Sequence, residues 1–376
     1  MIKVFVVSST LGYIKRGLES FSQEVFDVLL QDNSLDITLF KGSGKPSNKE
    51  IVLGAIPYNA NITKKISKFF PKENWRDPYF LHQLSFFVNL LPHIHLKKPD
   101  IIFFSEATVG TLLLHWRRLT KQKYKLLFHN GSPCTPTLFH RWDRIHQVAP
   151  THFNDALNVG VPAEKQNLVV YGINAPSEIE ILVGSEKEAL RQKLALPAKR
   201  PLIISVAAIN KSHKRMDYLI HEIASLPEPR PYLLLVGHQD EESQEILQLG
   251  NELLGQDNFQ IRTVPQTEVT NYYKIADVFV LASIREGLPR VILEAMTHGL
   301  PCLMHDYEIA RFALGNNGYF ANFELPGSLA TLVSQVLAGS EDLSKRQLRH
   351  RSAYERFSWD KLRPEYIKLI QQCANS

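Results

Sequence analysis

The chain has 376 residues, which at roughly 150 residues per domain predicts two globular domains, and its content of 44% apolar and 22% charged residues excludes a disordered or fibrous protein. The 43 lysine and arginine residues exceed the 38 acidic residues by only five, too little over this length for a protein that coats nucleic acid, although a local anion site is compatible with this charge. The three cysteines include no CxxC pair, which excludes a disulfide framework and a cysteine-rich zinc site and is typical of a reducing cytoplasm.

Short apolar runs alternate with amphipathic stretches along almost the whole chain. Runs of four to eight residues with this alternation predict βαβ units and parallel sheets covered on both faces. The predicted strands form two sets of five: 2–7, 35–40, 101–105, 124–129 and 167–172, then 202–209, 232–237, 259–264, 278–283 and 301–305. We therefore predict two doubly wound α/β domains, the first over residues 1–175 and the second over residues 176–355.

The loop after the first predicted strand contains Gly12, Arg16 and Gly17. Glycine ahead of a helix permits close backbone approach to an anion or a substrate, although a plain strand–helix turn fits this loop equally well. Further on, residues 78–96 carry apolar residues at helical spacing, which favours a core-facing helix over a face that touches a membrane. No apolar run reaches the roughly 18 residues that a spanning helix needs, so we expect at most peripheral membrane contact.

His129 ends a predicted strand and is followed by Asn130. In open α/β sheets ligands bind beyond the carboxyl ends of the strands, so a histidine at that end faces the crevice, whereas one on a buried face is a core residue. Downstream, His140, Trp142 and Asp143 fit either the lining of a substrate pocket or a helix cap. The sequence has no HExxH and no DxD spacing, so we predict no catalytic metal site.

Asn210, Lys211 and Lys214 follow the first predicted strand of the second domain. With the neighbouring His213 and Arg215 they concentrate positive charge between a strand end and a helix start. Such a loop would hold a diphosphate, because its cations offset charge on a departing phosphate. A solvated basic turn is the alternative interpretation.

Glu286 and Glu294 bracket a predicted helix start that follows the strand at 278–283. Pro289 suits a first helical position, so Glu286 lies in the loop and Glu294 within the helix. The helix N-terminus between them favours phosphate, because its N–H groups are unpaired and its dipole is positive there. One extended ligand could therefore meet a carboxylate, a phosphate cradle and a second carboxylate, the order in which a nucleotide-sugar presents sugar hydroxyls, diphosphate and ribose. An ordinary helix start with two solvated glutamates is the alternative.

Together these loops resemble the family-4 retaining glycosyltransferases, which have the GT-B fold: two Rossmann-like, doubly wound parallel-sheet domains that face each other across a cleft. The most specific part of the resemblance is the pair of glutamates separated by seven residues within REGLPRVILEAMTHGLP, residues 285–301. The resemblance implies that Glu286 contacts the donor sugar and that Glu294 contacts the ribose. The tail from residue 356 to residue 376 is similar to a final helix that returns to the first domain.

The same resemblance assigns roles to the other loop residues. Lys214 matches the family's diphosphate lysine, whereas the arginine expected a few residues earlier is absent and Lys211 stands near its place. His129 falls where the family keeps a crevice histidine. The implied catalytic residues are His129, Lys214 and Glu286. The implied donor-binding residues are Gly12, Gly17, Asn210, Lys211, Lys214, Val264, Glu286, Gly287, Leu288, Pro289 and Glu294. The implied acceptor-binding residues are Arg16, His129, Asn130, His140 and Trp142.

The implied reaction is a metal-independent hexose transfer with retention of configuration, in which a donor phosphate oxygen takes the proton of the attacking hydroxyl. We expect no cofactor, a UDP-sugar with glucose as the favoured hexose, a hydroxylated small molecule or glycan as acceptor, no nucleic acid partner and a cytoplasmic location. A nucleotide-sugar epimerase and a non-catalytic nucleotide-sugar-binding protein remain alternatives, the latter because of the missing arginine. A nicotinamide dehydrogenase is disfavoured because no GxGxxG follows a strand.

Overall fold

The computed structural model describes residues 1–14, 17–61, 63, 65, 77–131, 135–339 and 342–376. These residues divide into two compact units. The first unit comprises Met1–Gly172 together with Leu362–Ser376, and the second comprises Ile173–Lys361. The sequence analysis places its domain boundaries after residues 175 and 355, whereas the structure divides after residues 172 and 361.

In the described residues of the first unit, seven strands form one parallel sheet. The strands in chain order are β1 (Ile2–Ser8), β2 (Leu35–Lys41), β3 (Glu50–Val52), β4 (Ile101–Phe104), β5 (Lys125–Asn130), β6 (Arg144–Gln147) and β7 (Gln166–Leu168). They lie side by side in the order β3-β2-β1-β4-β5-β6-β7, with every neighbouring pair parallel. The chain therefore builds outward from β1 in both directions, as predicted for a doubly wound domain.

Helices pack on both faces of the first sheet. They are α1 (Gly17–Leu29), α2 (Pro78–Lys97), α3 (Ala107–Thr120) and α4 (Pro150–Asn158), with short 3₁₀ turns at Pro136–Arg141 and Ala163–Lys165. Phe21 of α1 meets the ring of Phe103 edge-on at 6.3 Å. Phe86 of α2 packs with Phe104 in the cluster on the other face, because successive strand residues point to opposite sides.

In the described residues of the second unit, six strands form a parallel sheet in the order β10-β9-β8-β11-β12-β13. The strands are β8 (Leu202–Val206), β9 (Tyr232–Val236), β10 (Phe259–Arg262), β11 (Val278–Leu281), β12 (Cys302–His305) and β13 (Gly318–Ala321). The helices are α5 (Gly184–Lys193), α6 (Met216–Ala224), α7 (Ser243–Leu253), α8 (Gln266–Ile275), α9 (Arg290–Thr297), α10 (Glu308–Leu314), α11 (Ser328–Ala338), α12 (Leu343–Phe357) and α13 (Trp359–Ala374), with a 3₁₀ turn at Gly315–Asn317. The boundary between the units falls within α13.

The prediction of five strands per sheet is wrong, because β3, β6 and β13 were not recognised. β3 and β13 are edge strands of three and four residues that are not fully buried, so they need no continuous apolar run. β6 lies inside the sheet but reads Arg-Ile-His-Gln, and its three polar side chains form hydrogen bonds to residues of and next to β7, so it needs no continuous apolar run.

The C-terminal part of α13 packs against the other residues of the first unit. Tyr366 of α13 donates to the carbonyl oxygen of Val170 at 2.9 Å, and Gln372 accepts from the side chain of Asn167 at 2.6 Å. The ring of Tyr366 also meets His146 of β6 edge-on at 5.1 Å. In the described parts of the chain, none of the helices combines the length and the apolar character that crossing a bilayer requires.

Asp277 holds the amino-terminal edge of the second sheet. Its carboxylate accepts from the backbone N–H of Leu202 at 2.7 Å, from Arg191 at 2.7 Å and from Lys187 at 2.6 Å. Burial alone would raise the pKa of this carboxyl, but the Lys187 and Arg191 cations outweigh that effect and lower it. Arg191 is itself buried and donates further to the carbonyl oxygen of Ile275, so both charges depend on each other.

We expect Asp277→Asn to lower the free energy of unfolding by about 1–3 kcal/mol, because it leaves the buried Arg191 cation without its counter-charge. Urea unfolding of the full chain measures this change. The control is Glu180→Gln, which removes an exposed ion pair with Lys274 and should change the stability by less than about 0.5 kcal/mol. Equal effects of the two substitutions would show that Asp277 does not hold the sheet edge.

Candidate functional site

Each sheet has a switch point, the pair of neighbouring strands at which the order of successive strands across the sheet reverses direction. The switch point lies between β1 and β4 in the first unit and between β8 and β11 in the second. Loops that leave such a neighbouring pair diverge, and ligands of open α/β sheets bind in the crevice that results. The residues that follow these four strands are therefore the candidates for function.

Lys214 and Glu286 meet at the switch point of the second unit. Lys214 lies in the loop after β8 and Glu286 in the loop after β11, and the ammonium group donates to Oε1 of the carboxylate. The two side chains are only 17% and 10% exposed, so water screens this ion pair weakly. Nε2 of His213 lies 3.9 Å from the same carboxylate oxygen. The structure thus brings together two residues that the sequence predicts to be catalytic.

Asn210 shapes the loop that carries Lys214. Its side-chain oxygen accepts from the backbone N–H groups of Lys214 at 2.9 Å and of His213 at 3.4 Å, and its carbonyl oxygen accepts from Met216 at 3.1 Å. Its amide group donates to Asp240 at 3.0 Å. The side chain of Asn210 is therefore engaged in holding the loop turn that starts α6.

Lys211 points to a different partner. Its ammonium group pairs with Glu245 of α7, and its backbone N–H donates to Glu242 at 2.8 Å. The side chain of Lys211 is 48% exposed. The structure therefore does not bring Lys211 into the ion pair of Lys214 and Glu286.

The start of α9 follows the loop of Glu286. Gly287 and Leu288 lead to Pro289, which is the residue before the first helical residue, Arg290. Leu288 is buried and anchors the loop. The helix thus begins at Arg290 rather than at the predicted Pro289, and its dipole favours a negative group at this end.

Glu294 lies within α9 and is oriented by Tyr273 of α8. The phenol of Tyr273 donates to Oε2 of Glu294 at 3.2 Å. Burial raises the pKa of Tyr273 well above its usual range, and the charge of Glu294 raises it further. Tyr273 therefore stays protonated at neutral pH and keeps donating to the carboxylate.

Tyr307, which the sequence analysis missed, lies next to Glu286. It follows β12, and its ring stacks on His305 at 6.0 Å. Burial raises the pKa of the Tyr307 phenol, and the negative charge of Glu286 raises it further. The signal in the sequence was its position just after the strand predicted at 301–305.

Val264, which the resemblance places at the donor, follows β10 and is half-buried.

In the first unit Gly12 occupies a place that a larger residue could not take. Its φ angle is +93°, in the region that favours glycine, and a Cβ atom there would lie 2.2 Å from the carbonyl oxygen of Ser43. Gly17 is the first residue of α1. Arg16 lies outside the described residues, so its predicted role stays a prediction.

Glu106 and Ser9 join the two strands at the first switch point. Ser9 follows β1 and donates to Glu106 through its backbone N–H at 2.8 Å and its hydroxyl at 2.6 Å. The neighbouring Thr10 donates to Glu19 of α1 at 2.7 Å. Removal from water raises the pKa of Glu106, in spite of the hydrogen bonds from Ser9. The sequence analysis missed this carboxylate, although it directly follows a predicted strand.

His82 of α2 lies close to the carboxylate of Glu106. Its Nδ1 lies 2.9 Å from the carbonyl oxygen of Ile56 and its Nε2 lies 3.0 Å from that of Ser9. A carbonyl oxygen only accepts, so both contacts are hydrogen bonds only in the protonated imidazolium. The rings of Tyr13, Tyr58 and Tyr79 surround the His82 ring with centroids 5.1, 5.8 and 6.1 Å away.

His129 and Asn130 end β5 and point to opposite faces of the sheet. The ring of His129 stacks on Phe21 at 4.0 Å, and its Nδ1 lies 2.9 Å from Nδ1 of His146. Asn130 is buried and donates to Gln147 at 2.7 Å. His129 therefore lies at the predicted end of β5 but is buried among aromatic rings, as the core alternative describes, and the amide group of Asn130 is tied to the neighbouring strand.

Trp142 lies in the hydrophobic core rather than beside His129. Its ring packs against Phe104 and Phe128 with centroids 5.2 and 5.8 Å away. Because Phe128 and His129 are successive strand residues, Trp142 lies on the face opposite to His129. Trp142 is also the C-cap residue of the 3₁₀ turn Pro136–Arg141, as the alternative of a helix cap predicts, and the exposed His140 lies 3.3 Å from the carbonyl oxygen of Val159.

The second switch point combines a cation, two carboxylates, a phenol and a helix N-terminus. Such a set suits a ligand that carries both phosphate and hydroxyl groups, because the cation and the helix end favour phosphate and carboxylates accept from hydroxyls. Among the described residues, no three His, Cys, Asp or Glu side chains are grouped so that they could hold a metal ion.

The second unit is similar to a known protein family. Residues 186–355 match the family Glycosyl transferases group 1. A relative from Campylobacter jejuni, N,N'-diacetylbacillosaminyl-diphospho-undecaprenol alpha-1,3-N-acetylgalactosaminyltransferase, is 27% identical over 210 residues, which are 54% of this chain and 52% of that protein. The chain spans about half or less of the length of the curated relatives that it matches.

Solved structures match the whole chain. Sucrose-phosphate synthase from Thermosynechococcus elongatus has a TM-score of 0.80 at 18% identity, with 100% of both chains covered. HepE from Anabaena, solved in complex with UDP-glucose, has a TM-score of 0.72 at 15% identity, with 100% of this chain and 99% of that chain covered. Residues 186–355 of this protein are therefore similar to the family Glycosyl transferases group 1, and the chain as a whole has the two-domain, Rossmann-like GT-B fold that the resemblance implies.

Proposed function

We propose that this protein is a glycosyltransferase that moves a hexose from a UDP-sugar to a hydroxyl group of a glycan or small-molecule acceptor, with retention of configuration and without a metal ion. The observation that carries the proposal is the ion pair of Lys214 and Glu286 at the switch point of a group 1 domain. Glucose is the favoured hexose. A structural neighbour, HepE, has been solved with UDP-glucose, which supports this choice of donor.

Lys214 has the chemistry to stabilise the departing UDP. Its ammonium group is weakly screened and has Glu286 as its counter-charge. A bound diphosphate carries more negative charge than one carboxylate, so it competes for Lys214 and releases Glu286 to accept from sugar hydroxyls. The N-terminus of α9 adds backbone N–H groups to the same phosphate.

Glu294 would hold the ribose of the donor. Its carboxylate accepts from the phenol of Tyr273, and a carboxylate has several lone pairs with which to accept from ribose hydroxyls as well. With Glu294 fixed at one end and Lys214 at the other, the donor is positioned before the reaction begins. The proton of the attacking acceptor hydroxyl goes to a phosphate oxygen of the donor, so no protein carboxylate needs to form a covalent intermediate.

For the acceptor we propose a glycan or a hydroxylated small molecule at the carboxyl edge of the first sheet. The Campylobacter jejuni relative is named for a sugar–diphosphate–undecaprenol substrate, which supports a glycan. At this edge the half-buried carboxylate of Glu106 accepts from Ser9, and a carboxylate can accept a further hydrogen bond from a hydroxyl group of the acceptor.

A nucleotide-sugar-binding protein without transfer activity is the second candidate. The observation that favours it is the ion pair of Lys211 with Glu245. Lys211 stands near the place of the missing arginine, and because of this pairing it does not join Lys214 beside Glu286. The two functions differ in turnover, which one experiment measures.

We expect the protein to transfer label from radiolabelled UDP-glucose to an acceptor panel of sugars and lipid-linked sugars, equally with and without EDTA. Label in a larger product measures the transfer. UDP-galactose and UDP-N-acetylglucosamine, assayed in parallel, define the hexose. Conversion of the donor sugar without an acceptor would support an epimerase, tight UDP-glucose binding without turnover would support the second candidate, and loss of transfer in EDTA would contradict a metal-independent reaction.

We expect Lys214→Ala and Glu286→Ala to lower kcat by about 100-fold, because each removes a group that stabilises the transition state. Glu294→Ala should instead raise KM for the donor by about 10-fold with a smaller effect on kcat, because it removes a binding contact. Steady-state kinetics with varied donor concentration separates the two effects.

The matched control is Lys274→Ala. Lys274 also forms a lysine–glutamate ion pair, with Glu180, but it lies in the last turn of α8, away from the switch point. Its kcat should stay within about 2-fold of the unsubstituted protein, since it only loses a surface ion pair. Near-native kinetics of the Lys214, Glu286 and Glu294 variants would show that the site lies elsewhere.

A further inference from the structure

A cavity of about 620 Å³ opens at the amino-terminal edge of the second sheet. Pro201, Val278 and Pro301 line it where β8, β11 and β12 begin, and residues of α5, α11 and α12 line its other sides. It therefore lies at the opposite end of the strands from the second switch point. Its volume is in the range of sites that hold a small molecule, and the proposed function makes no use of it.

The lining of this cavity is mainly cationic. Among the described residues that line it, the cations are Lys187, Arg191, Lys199, Arg200 and Arg346, and the acidic residues are Glu188 and Asp277. Asp277 is shared by two of these cations, because both Lys187 and Arg191 pair with it. A cavity in which one sign of charge predominates raises the local concentration of ligands of the opposite charge.

Lys199 and Arg200 line the cavity without a carboxylate partner among the described residues. Lys199 is exposed and forms no hydrogen bond or ion pair with the parts of the chain that the structure describes. The guanidinium group of Arg200 donates to the carbonyl oxygens of Arg230 at 2.5 Å and of Asp257 at 3.3 Å. These neutral groups orient the guanidinium group but do not neutralise its charge. Two adjacent cations just before β8 can therefore still pair with an anion.

Lys187 shows that like charges are crowded in this cavity. Its side chain is only 17% exposed, and burial lowers its pKa. The charge of Asp277 raises this pKa, whereas the charges of Arg191 and Arg346 lower it further, so that it stays below its usual value. An anion in the cavity would offset the repulsion among these cations.

We propose that this cavity is a second ligand site, which binds a small molecule that carries both a phosphate group and hydroxyl groups, as a sugar phosphate does. Lys187, Lys199 and Arg200 hold the phosphate group through charge-assisted hydrogen bonds. Glu188 is half-buried in the lining and forms no hydrogen bond with the described residues, so its carboxylate is able to accept from a hydroxyl group of the ligand.

Such a ligand would stabilise the strands that carry the candidate active site. β8 and β11 both begin at this cavity and end at the loops of Lys214 and Glu286. A ligand that binds the folded chain but not the unfolded chain raises the free energy of unfolding as its concentration rises. The inference does not depend on the proposed function, since none of the residues that line this cavity belongs to the proposed donor site.

Isothermal titration calorimetry of the full chain with ribose 5-phosphate, at constant ionic strength, tests the site. We expect ribose 5-phosphate to bind and to raise the midpoint of urea unfolding. Lys199→Glu should raise its Kd by at least about 10-fold, because the substitution puts an anion beside the phosphate group. Since Lys199 is exposed, this variant should fold with unchanged stability in the absence of the ligand.

Two control variants locate the binding. Lys368→Glu makes the same change of charge at an exposed lysine of α13, so it should keep the Kd within about 2-fold. Lys214→Ala should also keep the Kd within about 2-fold, because Lys214 lies at the opposite edge of the sheet.

Three results would each overturn the inference. They are no binding of ribose 5-phosphate, equal Kd values for Lys199→Glu and Lys368→Glu, and a loss of binding in Lys214→Ala instead of Lys199→Glu. If the protein transfers no sugar but binds ribose 5-phosphate as expected, the proposed function fails and this inference stands. If it transfers sugar and Lys199→Glu leaves the Kd unchanged, the proposed function stands and this inference is wrong.

Discussion

The divergence of the loops after β8 and β11 is the constraint on which the candidate site depends. Because the sheet is built outward from β8 in both directions, these two neighbouring strands send their chains to opposite sides. Lys214 and Glu286 are 72 residues apart in the sequence and meet only for this reason. The first unit repeats the arrangement, since Ser9 after β1 is joined to Glu106 after β4. One topological feature thus positions polar groups in both units.

The ion pairs at the two ends of the second sheet differ in whether a ligand can replace one of the partners. At the amino-terminal edge, Arg191 is held by Asp277 and by backbone carbonyl oxygens, so its position is fixed from several sides. At the carboxyl edge, the ammonium group of Lys214 is paired with Glu286, and a more highly charged ligand can replace that carboxylate. The pair of Arg191 and Asp277 therefore contributes to stability, and the pair of Lys214 and Glu286 is suited to exchange with a ligand.

The sequence predicts those parts of the structure that leave a local pattern. Long apolar runs predict the central strands, and charges directly after them predict Lys214 and Glu286. The strand of His146 reads Arg-Ile-His-Gln and leaves no such pattern, so the partner of His129 could not be found. Neighbouring residues of a strand point to opposite faces of the sheet, so an uncertainty of one position in the sequence reverses the predicted face. For this reason the sequence could not show that Trp142 lies in the core. The pairing of Lys211 with Glu245 joins residues 34 positions apart and has no local signal.

The division of the chain within α13 has a consequence for biosynthesis. Residues Leu362–Ser376 belong to the first unit but leave the ribosome after all of Ile173–Lys361. Tyr366, which covers His146, therefore reaches its place only once the second unit has been translated. Domains of nascent chains ordinarily fold from the N-terminus onward. In this protein the first unit cannot be completed until the second unit has been translated.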